Sequence, residues 1–86
     1  MSIMKDEEIL EYLQHIYPTA VPNSAIHWNL ITYYGADWAA RTSRRRVKHL
    51  IDKGFVEKIE RDGDPYYRIS DVGLGYLRGE IDAKDY

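Results

Sequence analysis

No cysteine occurs in this chain of 86 residues. That excludes a disulfide scaffold, a thiolate zinc site and a cysteine nucleophile together. It also fits a reducing cytoplasm, the expected compartment. Charge is missing over one long stretch: no Asp, Glu, Lys or Arg lies between Glu11 and Asp37. The gap is long enough for a bilayer. Pro18 and Pro22 break it, and Gln14, His15, Asn23, Ser24, His27 and Asn29 interrupt it, so neither a transmembrane helix nor a membrane partner is expected. The first residues, Met1 to Glu8, lack a basic region followed by an apolar one, so no signal peptide is expected. Acids are also absent between Asp37 and Asp52.

What is present fits one small globular domain over residues 1–86. Hydrophobic residues make up 44% and charged residues 30%, an ordinary balance that argues against long disorder. A domain of this size buries only about 60% of the surface its unfolded chain exposes. Its core is small, and oligomerisation would help it.

The net charge of −2 conceals an asymmetry. Arg41, Arg44, Arg45, Arg46 and Lys48 are five of the twelve basic residues, within eight positions. The acids gather at the ends: Asp6, Glu7, Glu8 and Glu11, then Glu80, Asp82 and Asp85. Bulk charge argues against nucleic acid. Local charge argues for it, and local charge decides where a polyanion docks.

Periodicity predicts three helices, a hairpin and a short last helix. Ile9, Leu10, Leu13, Ile16 and Tyr17 form one stripe, with Asp6, Glu7 and Glu8 in a first turn where negative charge suits the helix dipole, and Pro18 ends it. A second helix starts near Asn23 or Ser24, both good N-caps. Its inward face is Ile26, Leu30 and Tyr33 or Tyr34, and Gly35 closes it. Asp37 is expected to cap a third helix running to about Lys53. Its stripe is Ala36, Ala39 or Ala40, Ser43, Val47, Leu50 and Ile51, and Gly54 stops it. The period then changes. Residues 55–60 and 66–69 read as strands, joined by Arg61-Asp62-Gly63-Asp64-Pro65, in which Asp-Gly accepts positive φ and Pro65 breaks the ladder. Ser70 or Asp71 caps a final helix carrying Val72, Leu74, Tyr76, Leu77 and Ile81, and the tail from Asp82 is expected to fray.

The fold class is therefore mainly α with a β-hairpin, in the order α-α-α-β-β-α. A helix pair joined by a turn, with a basic third helix and a following hairpin, is the layout of a winged helix-turn-helix. With Val47, Leu50 and Ile51 inward, the outward face of the third helix carries Trp38, Arg41, Thr42, Arg45, Lys48 and His49. Arg44 and Arg46 lie on its flanks. Such a helix suits a major groove about 12 Å wide, and arginine both reads guanine and grips phosphate. Arg61 in the wing turn is a further phosphate contact candidate, diluted by Asp62 and Asp64. Lys58 and Arg68 on the strands are similar or weaker candidates.

Arg44-Arg45-Arg46-Val47-Lys48-His49-Leu50 followed by Gly54-Phe55-Val56-Glu57 resembles the junction from recognition helix to wing in winged-helix repressors. Tyr67-Arg68-Ile69-Ser70-Asp71-Val72-Gly73 and Tyr76-Leu77-Arg78-Gly79-Glu80-Ile81-Asp82-Ala83 are similar to the phi-H phage repressor-like proteins of haloarchaea and their viruses. The resemblance spans residues 8–83, and its C-terminal stretch is the most specific part. It implies a DNA-binding transcriptional regulator of archaeal or viral origin, often a repressor. By position it matches Ser43, Arg44 and Arg45 to the polar, basic centre of the recognition helix. The segment from Ile31 to Ala40 is longer than the usual turn, which allows an earlier or irregular start to the third helix.

Other features favour plain packing. Trp28 on the bracing helix reads as core. Trp38 either packs under the second helix or rests against a sugar-phosphate backbone. Tyr33 and Tyr34 read as packing or polar tips at the turn. His15, His27 and His49 fall on three different helices, so no metal site is expected. Gly73-Leu74-Gly75 follows a hairpin instead of opening a βαβ unit, so it is no nucleotide loop. Asp62 and Asp64 form a turn, and no serine has a defensible histidine–acid partnership. No enzyme activity, cofactor or small-molecule ligand is expected. Two readings remain. One is a sequence-specific regulator of double-stranded DNA, acting as a homodimer through the last helix (Leu74, Leu77, Ile81) or the first. The other is a winged helix that binds proteins instead.

Overall fold

In the computed structural model, which describes residues 3–80, apolar residues from every element converge on one core. Helix α1 (Ile3–His15) and helix α2 (Asn23–Tyr33) precede α3 (Ala40–Asp52). Strands β1 (Val56–Arg61) and β2 (Asp64–Ile69) then form an antiparallel hairpin, and α4 (Asp71–Leu77) closes the order. This is the winged helix-turn-helix order α-α-α-β-β-α. Ile81 and the expected fraying from Asp82 lie outside the described residues.

Spacing explains each buried face. Ile9, Leu10 and Leu13 on α1, Ile26 and Leu30 on α2, and Val47 and Leu50 on α3 are all essentially inaccessible. Each set recurs at three or four residues, which places it on one side of its helix. Gly54 takes φ +82 after α3, and the amides of Gly54 and Phe55 bond back to Ile51 and Leu50. This paired closure uses the left-handed conformation that glycine adopts without strain. Gly35 (φ +72) follows α2, and the Ala36 amide bonds back to Leu30.

The hairpin is tighter than the sequence suggests. Its turn is only Asp62-Gly63, both with positive φ, as a two-residue primed turn requires. Pro65 does not break the ladder: it lies within β2, opposite Glu60. In an antiparallel pair alternate residues aim their N–H away from the partner strand. The register gives Pro65 such a position, so its missing N–H costs no β1–β2 bond. Tyr67, two residues on, uses its outward groups on Val21, by N–H to O of 2.8 Å and O from N–H of 3.0 Å. Val21, in the α1–α2 connection, therefore adds a one-residue third strand that the sequence did not reveal.

Several boundaries differ from expectation. Helix α1 ends at His15, and Tyr17 is 45% exposed outside its stripe. Only Asp6 lies in the first turn of α1. Pro22, not Asn23 or Ser24, occupies the α2 N-cap, with no side-chain cap. Asp37 does not cap α3, which starts later, after Ala39. Ala36 packs on the core from the connecting loop, whereas Ala39 and Ala40 are exposed. The capping of α4 follows expectation: Ser70 Oγ accepts from the Gly73 amide at 3.0 Å.

Helix α4 seats against the start of the hairpin by close approach. Gly73 is buried, and a Cβ built there would fall inside contact distance of the Phe55 carbonyl oxygen and 2.7 Å from Ile69 Cγ1. Tyr76 stacks on Phe55 with ring centroids 5.0 Å apart.

Candidate functional site

Helix α3 divides into a buried face and a charged one. Ser43, Val47 and Leu50 point inward. Arg41, Arg44, Arg45 and Lys48 are exposed and share one stripe, at spacings of three and four. Two like-charge pairs therefore stand at i, i+4: Arg41 with Arg45, and Arg44 with Lys48. Each costs about 0.2–0.5 kcal/mol on an isolated helix. Arg41 also sits in the first turn, where the helix dipole disfavours a cation, and no acid offsets it there. None of the four forms an ion pair among the described residues. The helix thus accumulates positive charge that the fold does not neutralise.

Three other arginines are neutralised. Arg68 on β2 meets Glu57 on β1 at 3.0 Å, directly across the register, and Arg78 meets Glu80 at 3.0 Å. Arg46 is the deepest. Its Nε and Nη2 donate to the two carboxylate oxygens of Asp6 at 2.7 and 2.6 Å, and both side chains are largely buried. The hydrogen bonds to Asp6 hold the Arg46 guanidinium above its usual range, against the opposing effect of burial. The fork joins α1 to α3, so Arg46 is part of the scaffold and not of the exposed stripe.

Trp38 and His49 also depart from the expected outward face. Trp38 precedes α3 and packs against the core. Its indole N–H donates to Ser43 Oγ at 2.8 Å, and Lys5 Nζ stands 5.4 Å from its ring. Ser43 is fully buried and also bonds His27 Nδ1 at 3.2 Å. Ser43 therefore ties α2, the α2–α3 loop and α3 together from the inner face, while its neighbours Arg44 and Arg45 face outward. His49 is half-buried, with Nε2 enclosed and without a hydrogen-bond partner among the described residues. Thr42 is half-buried at the edge of the stripe. Arg61 is exposed beside the wing turn.

The aromatic residues of α2 and its C-cap Tyr34 separate by face. Tyr34 packs edge-on against Tyr12 with centroids 6.0 Å apart, so it is Tyr34 that turns inward. Trp28 is not core: it is 55% exposed and meets Tyr33, itself 70% exposed, edge-on at 5.8 Å. Ile26 and Leu30 already fill the inner face of α2, and Trp28 falls on the other side of the helix.

His15 and His27 lie on α1 and α2, and among the described residues no group of three or more His, Asp or Glu could hold a metal ion. None of the described helices is long and apolar enough to cross a membrane. No family model matches the chain, and neither a curated protein nor a solved structure matches it.

Proposed function

We propose that the protein is a sequence-specific regulator of transcription that binds double-stranded DNA through α3. It acts as a repressor by occluding a promoter, with α3 in the major groove and the hairpin beside the backbone. One observation carries the reading: Arg41, Arg44, Arg45 and Lys48 form an exposed stripe without an ion-pair partner among the described residues, on the helix that this layout offers to a groove. Arg46 and Trp38 support that surface from beneath, through Asp6 and Ser43. Arg61 is the wing's phosphate contact. The likeness to phi-H repressor-like proteins belongs to the same proposal, and with it an archaeal or viral origin, a cytoplasmic setting and a role without catalysis.

Two copies on two half-sites would add binding energy that one small domain lacks. Ile9, Leu10, Tyr12 and Leu13 of α1 are consumed by the core, and Leu74 and Leu77 of α4 are half-buried. Among the described residues, the exposed large apolar side chains other than Tyr17 lie on α2.

The test is fluorescence anisotropy with a pool of short duplexes at about 50 and 200 mM salt, followed by selection of the bound sequences. Neutralising four to six phosphates gives a slope of log K against log salt near −4 to −5. Arg45→Ala weakens binding by about 1–3 kcal/mol and relaxes specificity at one base pair if Arg45 reads a base. Absence of binding at the lower salt overturns the proposal.

A second reading, a protein-interaction module, rests on the outer face of α2. Trp28, Ile31 and Tyr33 are exposed there on a helix without a charged residue. Failure to bind DNA, with Trp28→Ser abolishing self-association seen by light scattering, would favour it.

A further inference from the structure

A groove of about 320 Å³ runs between α3 and the hairpin, along one side of the α3 stripe. Arg44 and Lys48 form one wall and Lys58 of β1 the other, over a floor of Val47, Ile51 and Tyr67. Lys58 is on the unexpected side of its strand. Its cross-strand partner is Tyr67, and Val56 and Ile69 on the same face are buried. Alternation calls for an apolar residue at that position. The chain instead places a cation there, aimed into the groove opposite two others.

None of the three cations has an ion-pair partner among the described residues, and the one acid in the lining is Asp52. On the opposite face of the same hairpin Glu57 neutralises Arg68. Charge is thus matched behind the wing and left unmatched inside the groove. Like charges gathered over an apolar floor repel one another, and a bound anion relieves them. Asn23 lines the end of the groove nearest α2. The carboxamide N–H groups of Asn23 are donors of the kind an anion seated there would take.

We propose that this groove seats a phosphoryl group, held by Arg44, Lys48 and Lys58. As to source, the proposal rests on the DNA reading: the phosphate is one of a DNA strand running between α3 and the wing. A free phosphate ion carries the same chemistry, and the test separates the two sources. The wing then grips DNA through the inward face of β1 as well as through its tip.

The experiment compares the whole chain with Lys58→Gln and with Arg68→Gln, whose arginine is already paired on the opposite face. Duplex affinity is measured over the same salt range, and amide shifts are followed by NMR with inorganic phosphate. Lys58→Gln is expected to reduce the magnitude of the salt slope by about 1, while Arg68→Gln leaves it unchanged. Thermal melting confirms that both variants fold. Phosphate shifting the amides of Asn23, Lys48 and Lys58 together establishes that the seat also takes the free ion. A changed slope without those shifts assigns it to the strand alone. A wild-type slope in Lys58→Gln, with Arg45→Ala still weakening binding, overturns the seat and leaves the DNA reading intact. If the wild-type chain binds no duplex, the DNA reading fails, and the phosphate shifts alone decide the seat: their absence overturns it.

Discussion

The indole N–H of Trp38 donates to the buried hydroxyl of Ser43 over 2.8 Å. The same hydroxyl meets His27 on α2, so one small side chain joins three segments behind the charged face of α3. Trp38 and Ser43 set how α3 is presented, although neither belongs to its exposed stripe. Ser43→Ala leaves an indole N–H and an imidazole nitrogen without their partner. It is expected to cost about 1–3 kcal/mol of stability, read as a lowered urea midpoint at unchanged slope. A loss below about 0.5 kcal/mol, the range of plain surface changes, would show that the node contributes nothing.

Asp6 and Arg46 form a two-pronged ion pair across forty positions of sequence. Removing the acid alone leaves a largely buried guanidinium uncompensated, so Asp6→Ala is expected to destabilise by about 2–3 kcal/mol. Arg46→Met in the same chain should recover much of that loss, because the stranded charge goes with it. A double-mutant cycle by thermal or urea unfolding checks the coupling. Additive losses would mean that the two residues act separately.

Gly73 allows α4 to sit directly on the Phe55 carbonyl and the Ile69 side chain. Gly73→Ala introduces a methyl group against backbone, which cannot rotate aside. The expected cost is about 1–3 kcal/mol, although alanine is the better helix former. Gly79 has open space around its Cβ direction but φ +78, so alanine there reads backbone strain and not close approach. Calorimetric melting of Gly73→Ala at or above the wild-type temperature would contradict the close approach.

Burial pushes the Tyr12 phenol above the ordinary tyrosine range. Tyr34 nearby adds to the rise, and the amide N–H of Asn29, donating at 3.0 Å, opposes it. A raised value means that the folded state holds the proton longer than the unfolded one. The associated stability is complete below the unfolded tyrosine value, about 10, and is lost as pH rises through the folded value. Absorbance at 295 nm during alkaline titration should therefore show a late component among the tyrosines. Tyr12→Phe should remove it. Uniform titration of all tyrosines would refute the assignment.

Much of this molecule was decided locally. The stripes of α1 and α3, the glycine stops at Gly35 and Gly54, the Asp62-Gly63 turn and the Ser70 cap depend on residues a few positions apart. They can be read from a single sequence for that reason. Arg41, Arg45 and Lys48 were legible in the same way, since their spacing alone puts them on one helix face, while Arg44 was read as a flank residue and only the fold showed it exposed beside them. Periodicity names a face but not what packs against it. Asp6 reaching Arg46, Ser43 holding Trp38, and Val21 pairing with Tyr67 bring together residues 40, 5 and 46 positions apart. Two of these pairs removed residues from the expected site. Trp28 was misplaced because a large aromatic side chain suits either face of a helix, and only the packing of Ile26 and Leu30 decided which face was inside. Lys58 acquired its place in the groove when the hairpin folded against α3. Composition and period thus determined the elements, their order and the charged stripe. Tertiary packing decided which cations were neutralised and which stayed open to a partner, because neutralisation needs a carboxylate within reach and that reach is set by the fold.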